Sequence, residues 1–110
     1  MAATYKVLGQ SAPSATTATT LYTVPSSTST IVSTLTVCNR DTSAGTFRIA
    51  VRPAGASLAN QHYIVYDSAI AANDTVTFTL GITLATTDVI TVYASTANLA
   101  FSAFGDEASV

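Results

Sequence analysis

Apolar and polar residues alternate along most of this chain, and the alternation has a period of two. Residues 30–53 carry it most clearly. They read T-I-V-S-T-L-T-V-C-N-R, then D-T-S-A-G, then T-F-R-I-A-V-R-P. The first run places Ile31, Ser33, Leu35, Val37 and Asn39 on one face. The second places Phe47, Ile49 and Val51 on one face, with Arg48, Ala50 and Arg52 on the other. Period-two alternation of β-branched and aromatic residues predicts strands with one buried face. The Asp, Ser and Gly between the runs suit a tight connection. The pattern predicts a β-hairpin with the other strands packed around it.

The remaining segments extend the same reading. Residues 4–8 (T-Y-K-V-L) predict a first strand with Tyr5 and Val7 on one face. Residues 9–19 are rich in Ser, Ala, Thr and Pro and read as an extended loop or arm, mobile or laid across a neighbour. Residues 20–24 predict a second strand, stopped by Pro25 and the Ser26-Ser27 turn. Pro53-Ala54-Gly55 closes the hairpin, and residues 56–61 lead on as a loop with room for one helical turn. Residues 62–67 (H-Y-I-V-Y-D) are apolar on both faces. They suit a central strand or one covered by another subunit. Residues 75–80 alternate cleanly, 81–87 read as a connection, and 88–95 and 98–105 predict further strands. Residues 106–110 read as a short flexible tail.

About seven to eight strands result, at roughly regular spacing. No stretch keeps helical periodicity over three turns, and parallel units would need crossover helices. The expected fold is all-β, a two-sheet antiparallel β-sandwich, jelly-roll-like or immunoglobulin-like. The 110 residues fit a single domain over 1–110, large enough to bury a core without metals or disulfides.

Composition changes the picture at the surface. Only 9% of residues are charged, against 48% hydrophobic, where a quarter charged is usual. Thr, Ala and Ser fill the polar faces, and Thr packs well on a pleat. So few charges give weak protection against association. Such a surface suits a protein packed against copies of itself or a partner; a stable monomer with a bland surface is the other reading. The net charge of −2 and the lack of any basic run argue against nucleic acid. No apolar run reaches membrane-spanning length. The first residues lack a signal-peptide pattern, which predicts synthesis in a cytoplasm. Cys38 is the single cysteine, read as a small buried hydrophobe rather than a reactive thiol.

Candidate chemistry is sparse. His62 is the only histidine, with no nucleophile elbow near it, so a strand-edge role outweighs general-base work. One His and one Cys do not make a zinc site. The carboxylates stand at turns and strand starts, where they accept backbone hydrogen bonds, and match no calcium-loop spacing. The sequence therefore predicts no catalytic residue, no cofactor and no metal. Of the cations, Arg40, Arg48 and Arg52 cluster around the central segment. They read either as solvated residues paired with nearby Asp or as forks that grip a partner. With Tyr63 and Tyr66 they are the interface candidates.

The pieces L-Y-T-V-P (21–25), T-V-C-N-R (36–40), F-R-I-A-V-R-P-A-G (47–55), A-A-N-D-T (71–75) and T-D-V-I-T-V-Y-A-S-T (87–96) resemble, in order, a family of small virion structural proteins of tailed bacteriophages of the cyanophage and marine-phage type. The likeness spans nearly the whole chain. Here S-S-T follows the proline, where related sequences carry A-G. The resemblance implies a non-enzymatic component of the virion, most like a capsid cement or decoration protein. Such a protein is expected as a homotrimer bridging capsomers, in contact with the major capsid protein. The alternative is a tail-fibre, neck or baseplate module that binds a host-surface glycan or another virion protein. That module predicts exposed aromatic residues clustered around Tyr63 or Tyr93.

Overall fold

Two antiparallel sheets face one another across one apolar core in the computed structural model, which describes residues 3–110. Nine strands follow in order: β1 (Ala3–Ser11), β2 (Thr19–Thr23), β3 (Thr28–Asn39), β4 (Gly45–Arg52), β5 (Tyr63–Ile70), β6 (Thr75–Phe78), β7 (Ile82–Leu84), β8 (Val89–Ala94) and β9 (Leu99–Ser109). The first sheet runs β1-β9-β3-β6, with β7 also on β3, and the second runs β2-β8-β4-β5. This is the strand order of a jelly roll whose sixth strand is broken into β6 and β7. Short 3-10 turns at Pro53–Gly55 and Asn60–His62 precede β5. Among the described residues no helix is long and apolar enough to cross a membrane.

The expected hairpin over residues 30–53 does not form. β3 pairs with β9, β6 and β7, whereas β4 pairs with β5 and β8, so the two runs lie in opposite sheets. The link between them is an arch across the end of the sandwich. Asn39 holds that arch. Its side chain is buried, its amide donates to the carbonyls of Ser43 and Ala71, and its Oδ1 accepts the Asp41 N–H. These bonds replace the ladder bonds that a hairpin turn would make. In the arch, Leu35 and Val37 meet Phe47 and Ile49 across the core; in a hairpin, all four would line one face of one sheet. The local alternation is the same in both arrangements.

The face of β3 also switches partway. Ser33 is the extra residue of a bulge, where the register with β9 shifts between Val32 and Thr34. Thr30 and Val32 therefore point inward with Leu35, Val37 and Asn39, and Ile31, expected inside, points out. Matching irregularities lie beside it. β1 shifts register between Val7 and Gly9. The β6–β7 break contains Gly81 at φ 65°. Gly105 of β9 crosses β3 so closely that a Cβ there would lie 1.9 Å from the Ile31 carbonyl oxygen. Bulges bend the strands that carry them, so the first sheet creases along this line.

Four further expectations are corrected. Residues 9–11 and Thr19 belong to β1 and β2, so the loop spans 12–18; it is mostly exposed, with Pro13 buried and the Thr16 N–H donating to the Ala94 carbonyl of the same domain. The 106–110 tail is not frayed: Asp106 to Ser109 continue β9, which pairs with β1 on one side and β3 on the other. β5 is an edge strand rather than a central one. Cys38, expected inside, is only partly buried. The core is centred on Phe47, whose ring meets Phe78 and Phe101 edge-on at 6.0 and 6.2 Å.

Candidate functional site

The outer face of the second sheet carries the densest cluster of chemically distinctive side chains. Cross-strand register places Tyr93 of β8 opposite Arg48 of β4. On its other side Arg48 meets β5 where the register slips, opposite Tyr66 and Asp67. Asp67 adopts φ 49°, the left-handed conformation of a bulge. The slip turns Tyr66 and Asp67 together toward Arg48. The Arg48 guanidinium carbon lies 4.3 Å from the Tyr66 ring centroid and 4.3 Å from that of Tyr93, a double cation–π stack. Its Nε donates to Asp67 Oδ1 at 2.6 Å and its Nη2 to Oδ2 at 3.2 Å, the forked geometry that Arg makes with a carboxylate. The guanidinium holds the Asp67 carboxyl below its usual range, and the carboxylate raises the Arg48 pKa in turn.

Tyr63 completes the group. Its ring meets Tyr66 edge-on, with centroids 4.9 Å apart and planes at 81°. With Asn60 these rings line an open depression of about 380 Å³. The turn before β5 aims Tyr63. The Ala59 N–H donates to His62 Nδ1 at 3.0 Å, and the His62 N–H donates to the Ala59 carbonyl at 3.1 Å. His62 thus ties down its own turn.

Arg52 lies on the same face as Arg48 but serves the fold. Its Nε donates to the Thr91 hydroxyl and its Nη1 to the Ala56 carbonyl. Arg40 stands apart, at the end of the sandwich, donating to the Ala97 carbonyl. Of the five interface candidates, then, the structure brings Arg48, Tyr63 and Tyr66 together, keeps Arg52 nearby and leaves Arg40 elsewhere. Tyr93, expected among exposed aromatic residues only for an appendage module, joins the cluster, and so do Asn60 and Asp67, which were not candidates. The alternation of β4 points to Arg48 facing outward, and its register with β8 sets Tyr93 beside it. Nothing in the sequence marks the bulge that brings in Asp67.

The first sheet presents a different outer face. Tyr5, Asp106 and Ile31 share one cross-strand row, and Val7, Phe104 and Thr34 the next. Tyr5 is 83% exposed, and Val7 and Ile31 are each 49% exposed. At the crease, Tyr5, Ile31 and Phe104 line an open groove of about 400 Å³. β1 forms the edge of this sheet, paired only with β9. Beneath this end, Glu107 accepts from the Tyr22 hydroxyl and pairs with Lys6 at 3.3 Å. Burial, reinforced by Glu107, pushes the Tyr22 hydroxyl up to about 12.

Among the described residues, no group of three or more His, Cys, Asp and Glu side chains converges as a metal site requires. No protein-family model, no curated protein and no solved structure matches this chain.

Proposed function

We propose that this chain is a non-enzymatic structural protein of a tailed-phage virion, a capsid cement or decoration subunit that acts as a homotrimer bridging capsomers on the capsid surface. The sequence resemblance to small virion proteins supplies the class. The physical observation that carries the reading is the outer face of the first sheet. Tyr5, Val7 and Ile31 are exposed along the open edge of β1, around a groove that half-buried Phe104 lines together with Lys6 and Asp106, on a domain of very low charge. Apolar side chains exposed together and rimmed by polar ones mark an interaction site, and an unpaired edge strand is a template for strand addition. A second copy of the chain fits both features, because the patch and the edge together extend a sheet and cover its face.

Light scattering on the purified chain tests self-association. The expected result is a trimer at micromolar concentration that dissociates in Tyr5→Asp. A chain that stays monomeric at high concentration overturns the trimer. Imaging of particles at a resolution that locates the chain tests its place, and hundreds of copies at junctions between capsomers are expected. A few copies at the neck or tail would favour the appendage reading, which the clustering of Tyr63, Tyr66 and Tyr93 around Arg48 supports.

A further inference from the structure

We infer that the corner between Tyr63 and Tyr66 is a saccharide-binding site that takes one pyranose ring of a neutral glycan. The inference holds for a shell or an appendage protein alike, because it concerns the face opposite the proposed assembly surface. A pyranose has an apolar C–H face and a rim of hydroxyls. Its face stacks on an aromatic ring, and its rim requires donors and acceptors at the side. Tyr66 is 60% exposed and offers the ring. Tyr63 stands across it at 81°, closing the corner as a wall. The Asn60 amide, at the lip of the same depression, both donates and accepts. The depression is open, about 380 Å³ and lined by these three residues, a form that takes one ring on its surface and does not enclose a larger ligand.

Two features narrow the ligand. Tyr66 is braced from behind, because Arg48 is stacked between it and Tyr93 and is gripped by Asp67. The ring is already ordered, which lowers the cost of binding. The same contacts engage the guanidinium on both faces and along one edge, so among the described residues no unpaired cation faces the corner to draw an acidic sugar. No carboxylate lines the depression either, which disfavours a cationic ligand. A proline-rich peptide needs a row of aromatic ridges, and here there is a single corner.

The test is amide-resolved NMR of the full chain titrated with neutral hexoses, N-acetylhexosamines and their disaccharides, beside a uronic acid. At least one neutral sugar is expected to shift Asn60, Tyr63 and Tyr66 selectively, with a dissociation constant on the order of 1 mM. Tyr66→Ala should weaken this by roughly tenfold or more, the loss expected of a stacked aromatic. Tyr66→Phe, which keeps the ring, should bind nearly as the wild type does, and Tyr5→Ala on the other sheet should change nothing. Silence across the panel, undiminished binding by Tyr66→Ala, or a response only to the uronic acid would overturn the inference. So would shifts at these residues that depend on protein concentration without sugar, since they would mark the corner as a contact between copies. The sugar titrations do not bear on the trimer, which is read separately by light scattering.

Discussion

Replacing Gly105 with alanine tests whether the crease in the first sheet depends on one close crossing of strands. Its φ is not in the left-handed region, so the requirement is for space alone. An added Cβ would lie 1.9 Å from the Ile31 carbonyl oxygen, 2.9 Å from its carbon and 3.0 Å from Val32 Cα. All three atoms are backbone of β3. Ordinary C···O contacts begin near about 3.3 Å, so β9 and β3 must part by more than about 1 Å. β9 is tied to β1 on its far side and does not slide away freely. Opening the crossing costs about two ladder hydrogen bonds, at about 1 kcal/mol each, together with about 1–3 kcal/mol of packing disturbed around the bulge. The reduced freedom of the unfolded chain returns about 0.4–1 kcal/mol. The net loss is about 2–4 kcal/mol, a large share of the roughly 5–15 kcal/mol that holds a domain together. For a chain of this size that lowers Tm by about 8–16 °C. Gly81→Ala is the control. Gly81 has φ 65° and nothing within 4 Å of its Cβ position, so it bears only a conformational cost near about 1 kcal/mol. Circular dichroism melts of both variants decide the matter. A Gly105→Ala protein that melts within a few degrees of wild type, or no lower than Gly81→Ala, would refute the reasoning.

Other expectations follow from single contacts. Tyr22 is raised from 10.0 to about 12 in the fold, so its neutral form is favoured there. The linked stability is complete below pH 10 and is lost as pH rises toward 12. Tm measured against pH should therefore fall steeply on that limb in the wild type and more gently in Tyr22→Phe; equal slopes would count against the linkage. Asp67 is lowered from 3.8 by Arg48, so its contribution is present above that pH and fades as the solution is acidified below it. In Arg48→Lys, which cannot fork or stack equally, the Asp67 carboxyl followed by NMR should titrate closer to 3.8, and an unchanged midpoint would contradict the forked pair. Phe47→Ala removes a fully buried ring and its edge-on contacts with Phe78 and Phe101, and chemical denaturation should show a loss of about 3–5 kcal/mol.

The two outer faces differ in how firmly they are built. The Tyr66–Arg48–Tyr93 stack is braced by a carboxylate and by register on both sides, which makes it a rigid element of the second sheet. The Tyr5 face is held by backbone pairing and the partly exposed Lys6–Glu107 pair, on a strand whose far edge is open. A face of the second kind gains order from a partner, and one of the first kind offers order to a ligand. This contrast is why self-association is assigned to one sheet and ligand binding to the other.

Alternation alone was enough to determine an all-β sandwich, the location of most strands, the burial of Phe47, Ile49, Leu35 and Val37, and the outward side of β4 that holds Arg48. Those properties follow from period two and residue type, which act within a strand. The pairing of strands was decided elsewhere. An arch and a hairpin present the same alternation, and the pairing of β3 with β9 and of β4 with β5 and β8, with Asn39 bonded to Ser43 and Ala71 across the link, distinguishes them. The bulges at Ser33 and Asp67 invert local faces without any sequence signal that a period-two reading detects, so Ile31 was misplaced inside and Asp67 was missed beside Arg48. The C-terminal residues look like a polar tail until β1 and β3 are found on either side of them. Each of these features rests on contacts between residues far apart in the chain. Such contacts decide strand order, the crease and both candidate faces, because a strand's own pattern states which side is apolar and not which strand covers it.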